Sequence, residues 1–327
     1  HAKVDKEAYG QMVDLTLKKR QDYMQDQRYS FQVLNGYGNY GPYNQYRNKM
    51  TEQQLAETDP QILVDLIHGL PQFEHSVLYY GPLAQKQLNT ILSKLHTTPK
   101  KLQPALENKP YVRQEAVKNE IWLAPYEAKN IYMVMMHNEN REWNPDEAGL
   151  ITLFNEYYGG GMNGIVFQEL REARGLAYSA FALYQRPEKQ GEKESYFTQI
   201  IAQNDKMMDC INVFHSILNQ MPASENAFQI AKDAAQKQLA SQRTTKFNVI
   251  SAYIKAKRLG IDYDLNQKIY ESLPALKLED IVSFEKANMA DKAYRYIILG
   301  DEKQLDMEAL EKIAPVKRLT TEEVFGY

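Results

Sequence analysis

One stretch limits what this chain can fold into more than any other: Phe167-Gln168-Glu169-Leu170-Arg171-Glu172-Ala173-Arg174-Gly175-Leu176-Ala177-Tyr178-Ser179-Ala180. Val166, Phe167 and Leu170 fall at i, i+1 and i+4, which gives one apolar helical face. Gly175 stands where a left-handed residue would end that helix, with Arg171 and Arg174 well placed in its last turn. From Leu176 to Tyr184 the pattern alternates and is rich in aromatics, as a half-buried strand requires. The pattern predicts helix, glycine stop and strand in immediate succession. Such a corner holds the guanidinium of Arg171 and the phenol of Tyr178 on its two sides, both able to donate to an extended backbone or a carbonyl oxygen.

The rest of the chain sets the frame. Its 327 residues suggest two domains, and 43% hydrophobic with 25% charged residues describes a globular chain with a sizeable core. A net charge of −3 points neither to nucleic acid nor to an anionic membrane surface, and no apolar run is long enough to span a bilayer. Cys210 is alone, so no internal disulfide framework exists. The chain begins at His1 rather than Met and shows no signal-like segment, so its natural N-terminus is expected to lie upstream.

Residues 4–28 read as a helix, and Tyr37 to Tyr46, with its Gly, Asn and Pro punctuation, as a loop. The tyrosines of that loop are either a recognition surface or packing for a connection. A helix is expected from Thr58-Asp59-Pro60 to about Leu70, a short strand from Ser76 to Tyr80, and a helix to Leu95. This unit has an echo. Val77-Leu78-Tyr79-Tyr80-Gly81 followed by Leu88 and Ile91 parallels Tyr296-Ile297-Ile298-Leu299-Gly300 followed by Leu305 and Leu310. Gly81 and Gly300 lie 300 − 81 = 219 residues apart, and the same offset carries Ala8-Tyr9 onto Ala227-Phe228. The reading is a duplicated module, with residues 1–104 the tail of a first copy plus a proline-bearing linker (Thr97 to Pro110) and residues 105–327 a complete second copy. Strands are expected at 120–124 and 130–136, a helix from Asn144 to Tyr158, a hairpin of 176–185 with 195–203, helices at about 205–220, 224–243, 247–259 and 278–289, and a closing strand at 294–299. This order predicts an α+β fold in two layers, an antiparallel-dominated sheet with helices on one face.

The other residues capable of chemistry are weak candidates. Gly159-Gly160-Gly161 is not followed by Gly-Lys-Ser/Thr, Ser179 lacks a Gly-x-Ser-x-Gly elbow, and Cys210 lies in an apolar helical stretch. His215, among Val213, Phe214, Ile217 and Leu218, reads as a core histidine with one hydrogen bond. For Arg171 the plain alternative is an ion pair with Glu169 or Glu172, and for Tyr178 an ordinary strand aromatic.

Gly159-Gly160-Gly161-Met162-Asn163, then Phe167, Leu170-Arg171-Glu172 and Gly175-Leu176-Ala177-Tyr178-Ser179, resembles the second-domain signature of the M16 zinc metallopeptidases, the family of pitrilysin, insulin-degrading enzyme and the mitochondrial processing peptidase. The resemblance covers roughly residues 105–327. It implies an M16-type half without zinc ligands, whose Arg171 and Tyr178 face the zinc of another half and handle a peptide or unfolded polypeptide together with Gly160 and Asn163. Asn163 stands where the family commonly has Ser, and either residue can cap a helix. The zinc-bearing His-x-x-Glu-His half would be an N-terminal half or a partner subunit. In this chain the nearest approach is Pro71-Gln72-Phe73-Glu74-His75, with Pro71 where the first ligand would stand, so no metal site is expected here. Two alternatives keep the fold without the chemistry: a structural or assembly subunit, and a free-standing peptide-binding module. Family habit suggests a bacterial periplasm or cell envelope.

Overall fold

The computed structural model describes residues 2–327. Helices α1 (Lys6–Gln25), α2 (Gln27–Tyr40), α3 (Glu52–Glu57), α4 (Gln61–Gly69) and α5 (Gln85–Leu95) precede the first strand. Strands β1 (Glu120–Pro125) and β2 (Asn130–Glu142) lead into α6 (Ala148–Tyr158) and the single turn α7 (Ile165–Phe167), then into the hairpin of β3 (Ala177–Gln185) and β4 (Lys193–Gln203). After it come α8 (Met207–Asn219), α9 (Glu225–Ala240), α10 (Lys246–Leu259), α11 (Leu265–Ser272) and α12 (Leu278–Asn288). The chain closes with β5 (Arg295–Gly300), α13 (Met307–Ile313), β6 (Val316–Arg318) and α14 (Thr321–Phe325).

All six strands form one sheet in the order β3-β4-β2-β5-β1-β6. The pairs β3–β4, β4–β2 and β2–β5 are antiparallel, while β1 runs parallel to both β5 and β6. The sheet is therefore mixed, with its antiparallel part at the β3 end.

The inner strands are apolar at successive positions because both of their faces are covered. Ile121 and Leu123, Ile131, Met133 and Met135, and Tyr296 and Ile298 face the main core, beneath Phe154, Phe214 and Ile281. Trp122 and Ala124, Val134 and Met136, and Ile297 and Leu299 face a second cluster with Phe31, Leu34 and Tyr37 of α2 and Val324 and Phe325 of α14. Helices on one face thus describe the main layer, and α2 with α14 cover part of the other.

That second cluster explains two departures from the sequence reading. The single helix expected over 4–28 is two helices, because Asp26 ends α1 and its carboxylate accepts from the Tyr29 amide at the start of α2. Residues 37–40, expected in a loop, are helical. Gly38 serves close approach rather than chain reversal: a Cβ there would overlap Cδ1 of Ile297. Its neighbour Tyr37 packs against Trp122 at 5.7 Å, while Tyr40 and Tyr43 lie against Tyr111, so these tyrosines pack a connection.

Two helix caps fall at the repeat spacing read from the sequence. Asp5 caps α1 and Ser224 caps α9, again 224 − 5 = 219 residues apart. The expected strand at 76–80 is absent, however. Residues 74–80 form no regular element, and among the described residues the only isolated bridge joins Phe73 to Gln103. The strand that the expected repeat sets against them, β5, is an inner strand with a neighbour on each side. No strand among the described residues lies beside 76–80, so Val77 to Tyr80 are exposed and no ladder forms.

Candidate functional site

At the corner the helix, the glycine and the strand appear in the expected order, with two irregularities. Beyond α7, residues Gln168–Glu172 form a π-helical turn, in which the Ala173 amide donates to the Gln168 carbonyl (2.8 Å). Gly175 adopts φ +62, which a side chain would strain, and the Leu176 amide reaches back to the Leu170 carbonyl (2.8 Å). The second irregularity lies in the strand. Ala177 pairs with Ala202 and Ser179 with Ile201, so Tyr178 is an extra residue in β3. Ala177, Ala180, Ala182 and Tyr184 still reach the core, whereas Tyr178 is turned out and is 75% exposed.

These two distortions bring Arg171 and Tyr178 together. The Arg171 guanidinium carbon lies 5.8 Å from the centre of the Tyr178 ring and 5.1 Å from that of Phe167. Its only ion pair among the described residues is a loose one, 3.9 Å to Glu172. Glu169, the other acid considered for Arg171, is taken by Arg174, which also donates to the Glu169 carbonyl (3.0 Å). Arg174 therefore ties down the helix end, while Arg171 presents its donor fork to solvent beside the phenol. No hydrogen bond involves the Tyr178 hydroxyl among the described residues.

Gly160 and Asn163 stand in the turn before α7. The Gly160 amide donates to the Asn155 carbonyl (2.6 Å). Asn163 is exposed and does not cap a helix, since Gly164 holds the capping position of α7. Among the described residues no hydrogen bond links either to Arg171 or Tyr178. The same turn supports the strand, for the Gly159 carbonyl accepts from the Ala182 amide (3.2 Å). Next to it the Asn155 side chain bonds both the amide and the carbonyl of Tyr184 (2.7 and 2.9 Å). The outer edge of β3 is thus closed over 182–184 and open only toward the corner.

The remaining chemistry-bearing residues are held in structural roles. Burial, aided by Asp209, pushes the Cys210 thiol up to about 12, far from a nucleophile's range. His215 is half-buried, its Nε2 lies 2.6 Å from the Tyr296 hydroxyl, and burial lowers its pKa. His75 and His96 face one another with Nε2 atoms 2.6 Å apart. Among the described residues no three His, Cys, Asp or Glu side chains gather to hold a metal ion.

One buried acid gives stability a pH dependence. Glu285 on α12 is 2% exposed, its Oε1 lacks a hydrogen-bond partner, and burial raises its pKa from 4.5 to about 7. The folded state holds this proton more tightly than the unfolded chain, so stability falls as pH rises from 4.5 toward 7. Glu285→Gln is expected to flatten that fall and to raise stability at pH 8 by on the order of 2–3 kcal/mol. Urea melts of both proteins at pH 5 and pH 8 check this; an equal gain at the two values would contradict it.

Comparison with known proteins agrees with this fold. Residues 77–234 match the family model described as the Peptidase M16 inactive domain. No curated protein sequence matches the chain. Among solved structures, a peptidase M16 inactive domain from Pseudomonas fluorescens aligns with TM-score 0.66 at 15% identity, over 90% of this chain and 70% of that one. Pitrilysin aligns with TM-score 0.69 at 12% identity, over 99% of this chain and 34% of that one. The periplasmic protease PqqL from Escherichia coli gives 0.64 at 14%, over 92% and 34%. This chain thus spans about a third of the two full proteases, and at these identities the likeness is one of fold. Residues 77–234 thus match the M16 inactive-domain model, and the chain as a whole shares the fold of M16 peptidases.

Proposed function

We propose that this chain is the substrate-binding, non-zinc half of an M16-type metalloendopeptidase. The observation that carries the reading is the pairing of Arg171 and Tyr178: a π turn and a β-bulge place two exposed donors side by side at one open strand end. A zinc-bearing His-x-x-Glu-His half, on the same polypeptide or another subunit, supplies the metal, the activated water and the general base. On this side, the Tyr178 hydroxyl and the Arg171 fork donate to the scissile carbonyl and to the oxyanion that develops from it. Closure of the two halves excludes water and strengthens those bonds. The open edge beside Ala180 offers main-chain groups to an extended or unfolded peptide, and the seal at 182–184 limits that pairing to a few residues. Gly160 and Asn163 would form the floor of the entry.

In this reading residues 1–104 are the tail of a preceding module, whose sheet would take up 76–80 as an inner strand, and residues 105–327 are a complete second module. A periplasmic or cell-envelope location belongs to the same reading. The direct test is peptide cleavage by the chain combined with its zinc-bearing half, using variants of Arg171 and Tyr178. The chain alone is expected to cleave nothing and to carry well under one zinc per molecule by elemental analysis. One zinc per chain, lost on replacing His75 and His96, would overturn the division of labour.

A further inference from the structure

The β3–β4 turn meets α10 at a second concave site remote from the corner. The Gln190 amide donates to the Arg258 carbonyl (2.7 Å), which holds the end of α10 against the hairpin. Between them lies a cavity of about 670 Å³, lined by Arg186, Arg243, Tyr253, Lys255, Lys257 and Tyr263 among others. Two acids, Asp262 and Asp264, also reach it, but the Asp264 carboxylate is committed to capping α11 through the Asn266 and Gln267 amides. From Asp233 to Asp262 the chain carries Lys237, Arg243, Lys246, Lys255, Lys257 and Arg258 and no acid at all, in a molecule of net charge −3. None of these six cations makes an ion pair among the described residues, whereas Arg141, Arg174, Arg295 and Arg318 elsewhere all do. Arg186 adds a buried Nη1 with no hydrogen-bond partner at the cavity wall. The same helix turns its aromatics outward, with Phe247 75% and Tyr253 53% exposed.

We infer that this cavity binds an acidic, aromatic- or aliphatic-bearing polypeptide segment. Arg243, Lys255 and Lys257, which make no ion pair among the described residues, supply the charge complement at its wall, and Tyr253 and Val249 supply apolar contact. A bilayer is the poorer fit. A lipid-bound helix lies in the surface plane with one apolar face, whereas α10 mixes its lysines and aromatics around its circumference and its cations line a concavity. The inference stands apart from the catalytic corner, since binding here needs neither zinc nor turnover.

The test is fluorescence anisotropy of the full chain with a labelled peptide of alternating glutamate and leucine. Its glutamine counterpart is expected to bind at least about tenfold more weakly, and the acidic peptide to lose about tenfold as salt rises from 50 to 300 mM. Arg243→Glu/Lys255→Glu/Lys257→Glu, all on or beside the exposed α10, should abolish binding. Lys18→Glu/Lys19→Glu/Lys86→Glu, with the same change in net charge, should leave it within about twofold. Equal losses in the two triple variants would mean only a general charge effect and would overturn the site. So would sedimentation with phosphatidylserine vesicles, sensitive to the α10 substitutions, in a protein that ignores the peptide.

Discussion

Tyr178→Phe, assayed with the zinc-bearing half restored, is expected to lower kcat by about a hundredfold to a thousandfold while KM changes little. The substitution deletes one hydroxyl and keeps the ring. Because Tyr178 is the extra residue of a bulge and is mostly exposed, its removal should leave the fold intact. An interaction made only with the developing oxyanion appears in kcat, whereas uniform binding appears in KM. Arg171→Lys keeps the charge but loses the planar fork that lies near both the Phe167 and Tyr178 rings, and a loss of about tenfold or more is expected. Arg174→Lys should be nearly silent, since that guanidinium is spent on Glu169. Steady-state kinetics on one peptide, with thermal melts in parallel, decide the matter. A damaging Arg174→Lys beside a neutral Tyr178→Phe would make the corner structural.

The corner was legible in the sequence because its signals are local. An i, i+1, i+4 apolar face, a glycine and an aromatic alternation each act within a few residues, and each produced the element it signals. The distortions that join Arg171 to Tyr178 were not read. The bulge leaves a trace in the spacing of Ala177, Ala180, Ala182 and Tyr184, three residues and then twos, which a strict period of two overlooks. The π turn leaves none, because it depends on how the helix end meets the strand. Residues 37–40 of the expected loop Tyr37 to Tyr46 departed from it for another reason. Its glycines signal chain reversal when neighbours are unknown; Gly41 does so at φ +71, whereas Gly38 is helical and lets α2 lie close to Ile297 of the sheet. The short β6 and α14, too brief to show a period, were missed with them, and so the second covered face was missed as well.

Phe31→Ala measures how far the N-terminal segment shares the stability of residues 105–327. Phe31 is 4% exposed and meets Tyr132 of β2 edge-on at 5.4 Å, within the cluster that includes Trp122, Val134 and Ile297. Truncating a phenylalanine in such a site removes its transfer energy and leaves a cavity, so a loss of about 3–5 kcal/mol is expected. Urea unfolding followed through tryptophan fluorescence reports on it directly, since Trp122 lies in the same cluster. If α2 is integral to the sheet, the transition stays single and moves to lower urea. If α2 is a docked appendage, the main transition stays in place and a weaker one separates from it. Leu66→Ala supplies the contrast, because α4 holds that side chain 59% exposed and the change should fall within about 0.5 kcal/mol. A Phe31→Ala loss as small as that of Leu66→Ala would show that the sheet stands without its second layer, and would leave residues 105–327 as an independent folding unit.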